Sequence, residues 1–355
     1  MIDIGRYIAA GVRGHSAYHV PPGEPAVKLD AMENPYRLPL EVRDRWLHAL
    51  RDVALNRYPA PGEYERLKER LARTFDLPPT ARVLLGNGSD EILQSMFLAT
   101  SPEVTVVAPT PTFVMYEQIA ALLGRRFVGV PLSPDFRLDV EALKTALTRH
   151  APALVFLAYP NNPTGTLYER AEVEALLALE DALIVVDEAY YPFARASVID
   201  RLGAHPQLLV VRTFSKQGLA GLRFGWLAGD AAWIDEIDKV RLPYNVSTLA
   251  VATAEFALDY QDVFEAQAQR IRDERERLYE ALARRVTVWP SAANFLLFRV
   301  GDRARAADVL AVLKERGIWV KDLSAQSPAL AGCLRVTVGT PEENSAFLAA
   351  LSQAL

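Results

Sequence analysis

The sequence predicts an α/β fold: a large domain on a mostly parallel sheet, followed by a smaller α+β domain. Two observations carry this. Between about residue 40 and residue 240, short aliphatic runs alternate with longer amphipathic stretches, and the runs are apolar throughout rather than at every second position. That pattern marks strands buried on both faces, as in parallel sheets covered by helices. Further along, past a charged helix, the order becomes strand, helix, strand, strand, helix, the grammar of a smaller α+β unit.

Taken in order, residues 1–40 are rich in Pro and Gly (HVPPGEP, NPYRLP) and read as an N-terminal arm. The large domain is expected over 41–245. Its strands are VLL (83–85), VTVV (104–107), FVGV (127–130), LVFLA (154–158), LIVV (183–186), LLVV (208–211) and GWLAG (225–229), with helical patterns such as RAEVEALLALED between them. The small domain is expected over 246–355, with the arm able to pack against it. Residues 265–285 read as a charged helix with Asp273/Arg277 and Glu280/Arg284 at i,i+4, a solvated face. NFLLFRV (294–300), a helix over 305–317, strands in IWVK and CLRVTVG and a last helix follow. Thr340 and Glu343 spell a capping box there, with Pro341 at the first helical position.

Half of the 355 residues are hydrophobic, 23% are charged and the net charge is −5. This is the composition of a soluble globular protein, with no electrostatic reason to expect nucleic acid or an anionic membrane as partner. The first residues, MIDIGRYIAAGVRG, do not read as a signal peptide, and no apolar run is long enough to span a bilayer. The single cysteine, Cys333, rules out an intrachain disulfide and suits a reducing compartment, so the cytoplasm is the expected location. It reads as a packed small hydrophobe. Histidines 15, 19, 48, 150 and 205 make no ligand cluster, and no metal is expected.

Open α/β sheets bind ligands beyond the carboxyl ends of their strands. Four polar motifs fall in such places: Asn161-Asn162-Pro163-Thr164-Gly165 after LVFLAYP, Asp187-Glu188-Ala189-Tyr190 after LIVV, Ser215-Lys216 after LLVVRTF, and GNGSDE (86–91) between a strand and a helix. Singly each is weak. GNGSDE is as readily a plain loop-to-helix turn as a phosphate cradle, with Glu91 where a third glycine would stand. LIVVDEA could serve a nucleotide hydrolase, but no Gly-Lys pair exists anywhere in the chain. Together, a lysine, an aspartate, an asparagine and a phosphate cradle form a toolkit for pyridoxal 5′-phosphate.

The order NNPTG, VVDEAYY, TFSKQGLAGLRFG resembles the fold-type I pyridoxal-phosphate transferases. MENPYRLP (32–39), NRYP (56–59), GNGSDE, PTPTFVMY (109–116) and CLRVTVGTPEEN (333–344) resemble histidinol-phosphate aminotransferases along nearly the whole chain. The resemblance implies a Schiff base on Lys216, which also shuttles the proton in a ping-pong reaction. It implies Asp187 at the pyridinium nitrogen and Asn162 and Tyr190 at the phenolate oxygen. Ser89, Asp90, Ser215 and Arg223 would hold the phosphate, and Phe113 would stack on the ring. Lys216 and Arg223 are one residue closer together than is common in the family. The resemblance further implies a homodimer in which Tyr58 crosses to the neighbour's cofactor phosphate. Arg335 would grip the substrate's anionic end, with Tyr18 and Asn34 assisting from the arm. The expected partners are a small amino donor, L-histidinol phosphate, and a 2-oxo acid acceptor, 2-oxoglutarate. No Lys or Arg follows Arg335, and Ala346 occupies the last helix where family members carry a second arginine. Aromatic aminotransferase and threonine-phosphate decarboxylase activities are therefore kept as alternatives, and a non-catalytic pyridoxal-binding regulator as a remote one.

Overall fold

The computed structural model describes residues 3–17, 23–179 and 181–355. Seven strands form the large sheet: β1 (Ala81–Gly86), β2 (Thr105–Thr110), β3 (Phe127–Pro131), β4 (Ala153–Ala158), β5 (Ala182–Asp187), β6 (Leu208–Thr213) and β7 (Gly225–Asp230). Their order across the sheet is β1-β7-β6-β5-β4-β2-β3, and β7 runs opposite to the other six. Every residue of β4, β5 and β6 is buried, the signature of a sheet covered on both faces. One apolar cluster fills each side, with Trp226 and Tyr168 among the side chains of one and Met96, Tyr116 and Phe156 among those of the other.

Register decides where the polar motifs land. Asp187, the last residue of β5, pairs with Ala158 at the end of β4 and with Val211 on β6. Thr213 ends β6 opposite Gly225, which also lies opposite Gly86 at the end of β1. The four motifs thus emerge along one rim. Helix α1 (Ser89–Ala99) starts from the β1 end of that rim.

The second unit is a sheet of β8 (Thr287–Val288), β9 (Phe295–Arg299), β10 (Lys321–Asp322) and β11 (Cys333–Thr337), ordered β10-β11-β9-β8 and antiparallel throughout. Residues 27 and 28 pair with 318 and 319, and the Thr337 amide donates to the Leu29 carbonyl, so the lead-in packs with this unit. Helix Thr248–Asp259 contributes Ala250, Val251, Ala254 and Ala257 to the large core. The division runs inside the long helix α2 (Gln261–Ala283), where Phe264 joins the large core and Ala268 the small one.

Helix α2 also differs from the expected solvated face. Arg272 and Arg275 are buried and donate to the carbonyls of Pro192 and Ala293, at 2.6 and 3.0 Å. Arg277 pairs with Glu274 rather than Asp273. A guanidinium has five donors and can satisfy carbonyls at a helix–loop junction, a use that periodicity does not reveal. Cys333 is buried and burial pushes its thiol up, as a packed residue requires. The last helix, Pro341–Ala354, starts on the expected capping box: Thr340 Oγ1 accepts from the Glu343 amide and Glu343 accepts from the Thr340 amide.

Candidate active site

A cleft of about 550 Å³, its open mouth included, lies over the rim where β4, β5 and β6 end. Ser89, Asp90, Phe113, Asn162, Asp187, Tyr190, Ser215, Lys216 and Arg223 all line it. The structure therefore brings together nine residues drawn from five separate segments of the chain.

One end of the cleft is built to hold an anion. Helix α1 begins at Ser89 with no side chain capping its first amides, and its N-cap, Gly88, is left-handed (φ 88°). A Cβ at Gly88 would lie 2.7 Å from Arg223 Nη2, and one at Gly225 would lie 2.8 Å from the Ser89 amide nitrogen. Bare backbone is thus required for the guanidinium and the helix start to approach each other. Arg223 Nη1 donates to Ser215 Oγ (3.4 Å) and Nη2 to Asp90 Oδ2 (3.3 Å). Thr213 Oγ1 lies 2.9 Å from Ser215 Oγ and accepts from the Ser215 amide. The short loop from Lys216 to Arg223 closes through two left-handed residues, Gly218 (φ 131°) and Arg223 (φ 52°). Glu91 stabilises the turn before α1 by accepting from the Asn87 amide (2.6 Å) and from Asn245 Nδ2 (2.7 Å). Amides at a helix start, a hydroxyl and a guanidinium suit a phosphate.

Asp187 lies at the other end, buried in the sheet. Tyr116 Oη donates to its Oδ2 (2.8 Å) and the Ala189 amide to its Oδ1 (3.1 Å). Burial pushes its carboxyl up to about 6 despite these donors. A carboxylate held so far from water is stabilised by a cation placed against it, such as a protonated ring nitrogen. Tyr116 was not anticipated, although its place three residues after Phe113 on one helix put both near the rim; the two rings meet edge to face, 5.5 Å apart.

Lys216 lies on a wide helical turn, Ser215–Leu219, with Nζ 5.8 Å from the centre of the Tyr190 ring. Burial lowers its basicity to about 8, helped by the positive charge of Arg335. Asn161 and Asn162 divide their work. Asn161 closes the loop, bonding Pro111, Thr112 and Thr164, while Asn162 faces the cleft. Asn162 Nδ2 donates to Tyr190 Oη (3.2 Å), and Asn162 Oδ1 accepts from Arg335 Nη1 (2.6 Å). Arg335, on β11 of the small sheet, is buried and stands over the Phe295 ring. The donors at Asn162 and Tyr190, the anion cradle and the Lys216–Asp187 couple fit pyridoxal 5′-phosphate group by group.

Two expected residues stand elsewhere. Tyr58 is 74% exposed and stacks on Tyr244 at 4.2 Å, outside the cleft. Asn34 does not line the cleft; its amide donates to the Gln217 carbonyl (2.8 Å) and to Gln267 Oε1 (3.0 Å). Tyr18 falls outside the described residues. Met32, not anticipated, lines the cleft and accepts from Tyr190 Oη through Sδ (3.1 Å). Among the described residues, no His, Cys, Asp or Glu cluster suits a metal, and no helix is long and apolar enough to cross a membrane.

Residues 24–351 match the family model described as aminotransferase class I and II. The chain is 52% identical to histidinol-phosphate aminotransferase 1 of Ralstonia nicotianae, over 99% of this chain and 95% of that one. It is 50% identical to histidinol-phosphate aminotransferase 2 of Cupriavidus pinatubonensis, over 99% and 97%. Among solved structures it is similar to histidinol-phosphate aminotransferase from Sinorhizobium meliloti in complex with pyridoxal-5′-phosphate (TM-score 0.87, 28% identity, 98% and 97% covered). It is also similar to a Thermus thermophilus aspartate aminotransferase mutant (TM-score 0.81, 25% identity, 99% and 100% covered).

Proposed function

The chain belongs to the class I and II aminotransferases, and from that premise we propose that it moves the amino group of L-histidinol phosphate to 2-oxoglutarate. It is a pyridoxal-phosphate-dependent transaminase. The observation that carries the chemistry is one cleft that holds a lysine of depressed basicity, a buried carboxyl of raised pKa and an anion cradle. Support for the amino donor comes from the relatives at about half identity across nearly the full chain.

Bound pyridoxal 5′-phosphate supplies a carbonyl carbon that carries the amino group and a ring that accepts electrons as the substrate Cα–H bond breaks. The chain's own residues do the rest. The Ser89 and Asp90 amides, Ser215 Oγ and Arg223 would hold the phosphate. The ionised Asp187, held by Tyr116 Oη, would keep the ring nitrogen protonated, while Asn162 and Tyr190, which bond each other in the cleft, would donate to the ring oxygen. Lys216 Nζ would take the proton from the substrate Cα and deliver it to the carbon through which the cofactor carries the amino group. With a pKa of about 8, an appreciable fraction of the amine is neutral at pH 7 to 8 and able to accept that proton. Arg335 receives the anionic end of the substrate, and its fork suits either a phosphate or a carboxylate. The same pocket serves both half-reactions in turn.

We further propose a homodimer acting in the cytoplasm, with Tyr58 reaching the neighbour's cofactor phosphate. The exposed Tyr58–Tyr244 stack and the exposed Leu55 and Leu242 support a covered face there.

The test is a set of half-reactions with L-histidinol phosphate, phenylalanine, tyrosine and threonine phosphate. The expected result is a kcat/KM for histidinol phosphate at least about 100-fold above the unphosphorylated aromatics, the discrimination that roughly 3 kcal/mol of charge-assisted contact provides. Comparable values for phenylalanine would replace this donor with an aromatic amino acid, the reading that the lack of any cation after Arg335 favours.

A further inference from the structure

Asn34 and Gln267 join three segments that are far apart in the chain. Asn34 precedes Pro35 in the lead-in, Gln267 lies on α2, and between them sits the turn that carries Lys216. Asn34 Nδ2 donates to the Gln217 carbonyl (2.8 Å) and to Gln267 Oε1 (3.0 Å). Its Oδ1 accepts from the Tyr36 amide (2.8 Å), and Gln267 Nε2 donates to the Arg37 carbonyl (3.0 Å). Each amide is thereby oriented by bonds at both ends. Gln267 is buried, where an amide without partners would be costly.

The contact is close because of Gly218. A Cβ there would stand 3.1 Å from Asn34 Nδ2 and 3.4 Å from Gln267 Oε1, and the residue is left-handed (φ 131°). The bare, left-handed backbone lets the two amides reach the turn one residue beyond Lys216. They do not line the cleft.

We propose that Asn34 and Gln267 are positioning residues that clamp the Gln217–Gly218 backbone and so hold the Lys216 side chain inside the cleft. The inference deepens the reading of Lys216 as the reacting amine and rests on it. The clamp fixes the Gln217–Gly218 peptide to a helix that is itself anchored in both cores. The turn's other ties include the Gln217 and Leu219 amides, which donate to the Phe214 carbonyl (3.2 Å each), and Leu219, which packs on the large core. Loss of the clamp releases the Gln217 carbonyl and gives the lysine side chain access to water. The groups facing that amine are Arg335 on β11, Arg223 on the same loop, Asp90 on α1, Glu33 in the lead-in, and Asp187 and Tyr190 at the end of β5. Neither clamp residue is charged, so removing either alters the lysine through its position and hydration rather than through a lost charge.

The experiment uses the full chain without cofactor. A small amine-reactive reagent is applied from pH 6 to 11, and modification at Lys216 is followed by peptide mass spectrometry. The parent is expected to show a midpoint near 8. Asn34→Ala and Gln267→Met are each expected to move it up by about one unit as the ammonium regains water. Because the clamp is one unit, the double variant is expected to move it no further than the larger single change. A bystander role predicts a lower melting temperature with an unmoved midpoint. An unmoved midpoint in folded variants, or shifts that simply add, overturns the clamp. Should Asn34→Ala not fold, Gln267→Met decides alone. Failure of the parent reading shows separately: Lys216→Ala with an unchanged cofactor absorbance rejects Lys216 as the reacting amine, whatever the midpoints do.

Discussion

Two couples of opposite charge sit at the ends of β5 and β6, and they are built in opposite ways. Glu188 and Arg212 form a closed couple. Arg212 Nε donates to Glu188 Oε2 (2.9 Å), Arg212 Nη2 donates to Ser197 Oγ (2.8 Å), and Glu188 Oε1 also accepts from the Val198 amide (2.8 Å). The guanidinium lies 3.7 Å from the centre of the Tyr191 ring, and both side chains are at most 5% exposed. Asp187 and Lys216, one residue and four residues away along the chain, share a cleft instead of a bond, and burial shifts each toward its neutral form. Successive residues of a strand face opposite sides of the sheet, so one rim carries both. A buried pair in direct contact fixes geometry, whereas a desolvated couple without an ion pair holds reactivity for a ligand that brings the missing charges.

The largest expected effect separates the couples by activity. Lys216→Ala removes the amine proposed to engage the cofactor carbonyl and to act as general base at the reacting carbon. Single-turnover rates with histidinol phosphate are expected to fall at least about 10⁴-fold, while thermal unfolding of the cofactor-free chain stays cooperative. A loss under tenfold would hand the proton transfer to another group.

Next in size is the closed couple. Arg212→Met leaves Glu188 buried without its cation, a change that in other proteins costs about 3–5 kcal/mol. Glu188 keeps Ser197 and the Val198 amide as donors, so the lower end is expected. Denaturant titration of the cofactor-free chain measures it. If Arg212→Met instead leaves stability within about 0.5 kcal/mol and abolishes turnover, the two couples have been assigned the wrong way round.

Sequence and structure agree most closely on the large-domain wall of the cleft. Asp187, Asn162, Ser215 and Lys216 each follow a wholly apolar run within a few residues, so the point where the run ends also marks where the side chain emerges. The other contributions were harder to see. Arg335 stands in the middle of an ordinary strand, and its bond to Asn162 joins residues 173 apart in sequence. Tyr116 looks like core and is core, its hydroxyl alone turned to Asp187. Met32 lies in an irregular lead-in at φ 55°, held by donation from its amide to Thr337 Oγ1 and from Asn294 Nδ2 to its carbonyl. The passage from large to small core inside α2 was equally hidden, because one continuous amphipathic helix gives no sign of which core each turn meets. Local pattern encodes strand ends well; contacts made across the sheets depend on packing that no local window contains.

The smallest expected effect is thermodynamic and tests whether the open couple is held at a cost. The Asp187 carboxyl moves from 3.8 to about 6 on folding. The native state therefore binds the proton more tightly than the unfolded chain, and this contribution is fully present below pH 3.8 and lost as pH rises through about 6. Above that window the ionised, buried carboxylate lowers stability by up to roughly 3 kcal/mol. Asp187→Asn keeps an acceptor for Tyr116 and removes the charge, so without cofactor it is expected to melt higher than the parent at pH 7, with the gap closing toward pH 4. Lys216 titrates near 8, above this window, and does not mask it. Adding pyridoxal 5′-phosphate is expected to shrink or reverse the gap, since the ring nitrogen supplies the positive charge that the carboxylate lacks. Calorimetry of both chains, with and without cofactor across pH 4 to 7, reads all four cases. A gap that is the same at pH 4 and pH 7 would show that Asp187 is hydrated in the folded chain, and the contrast between an open and a closed couple would then fail.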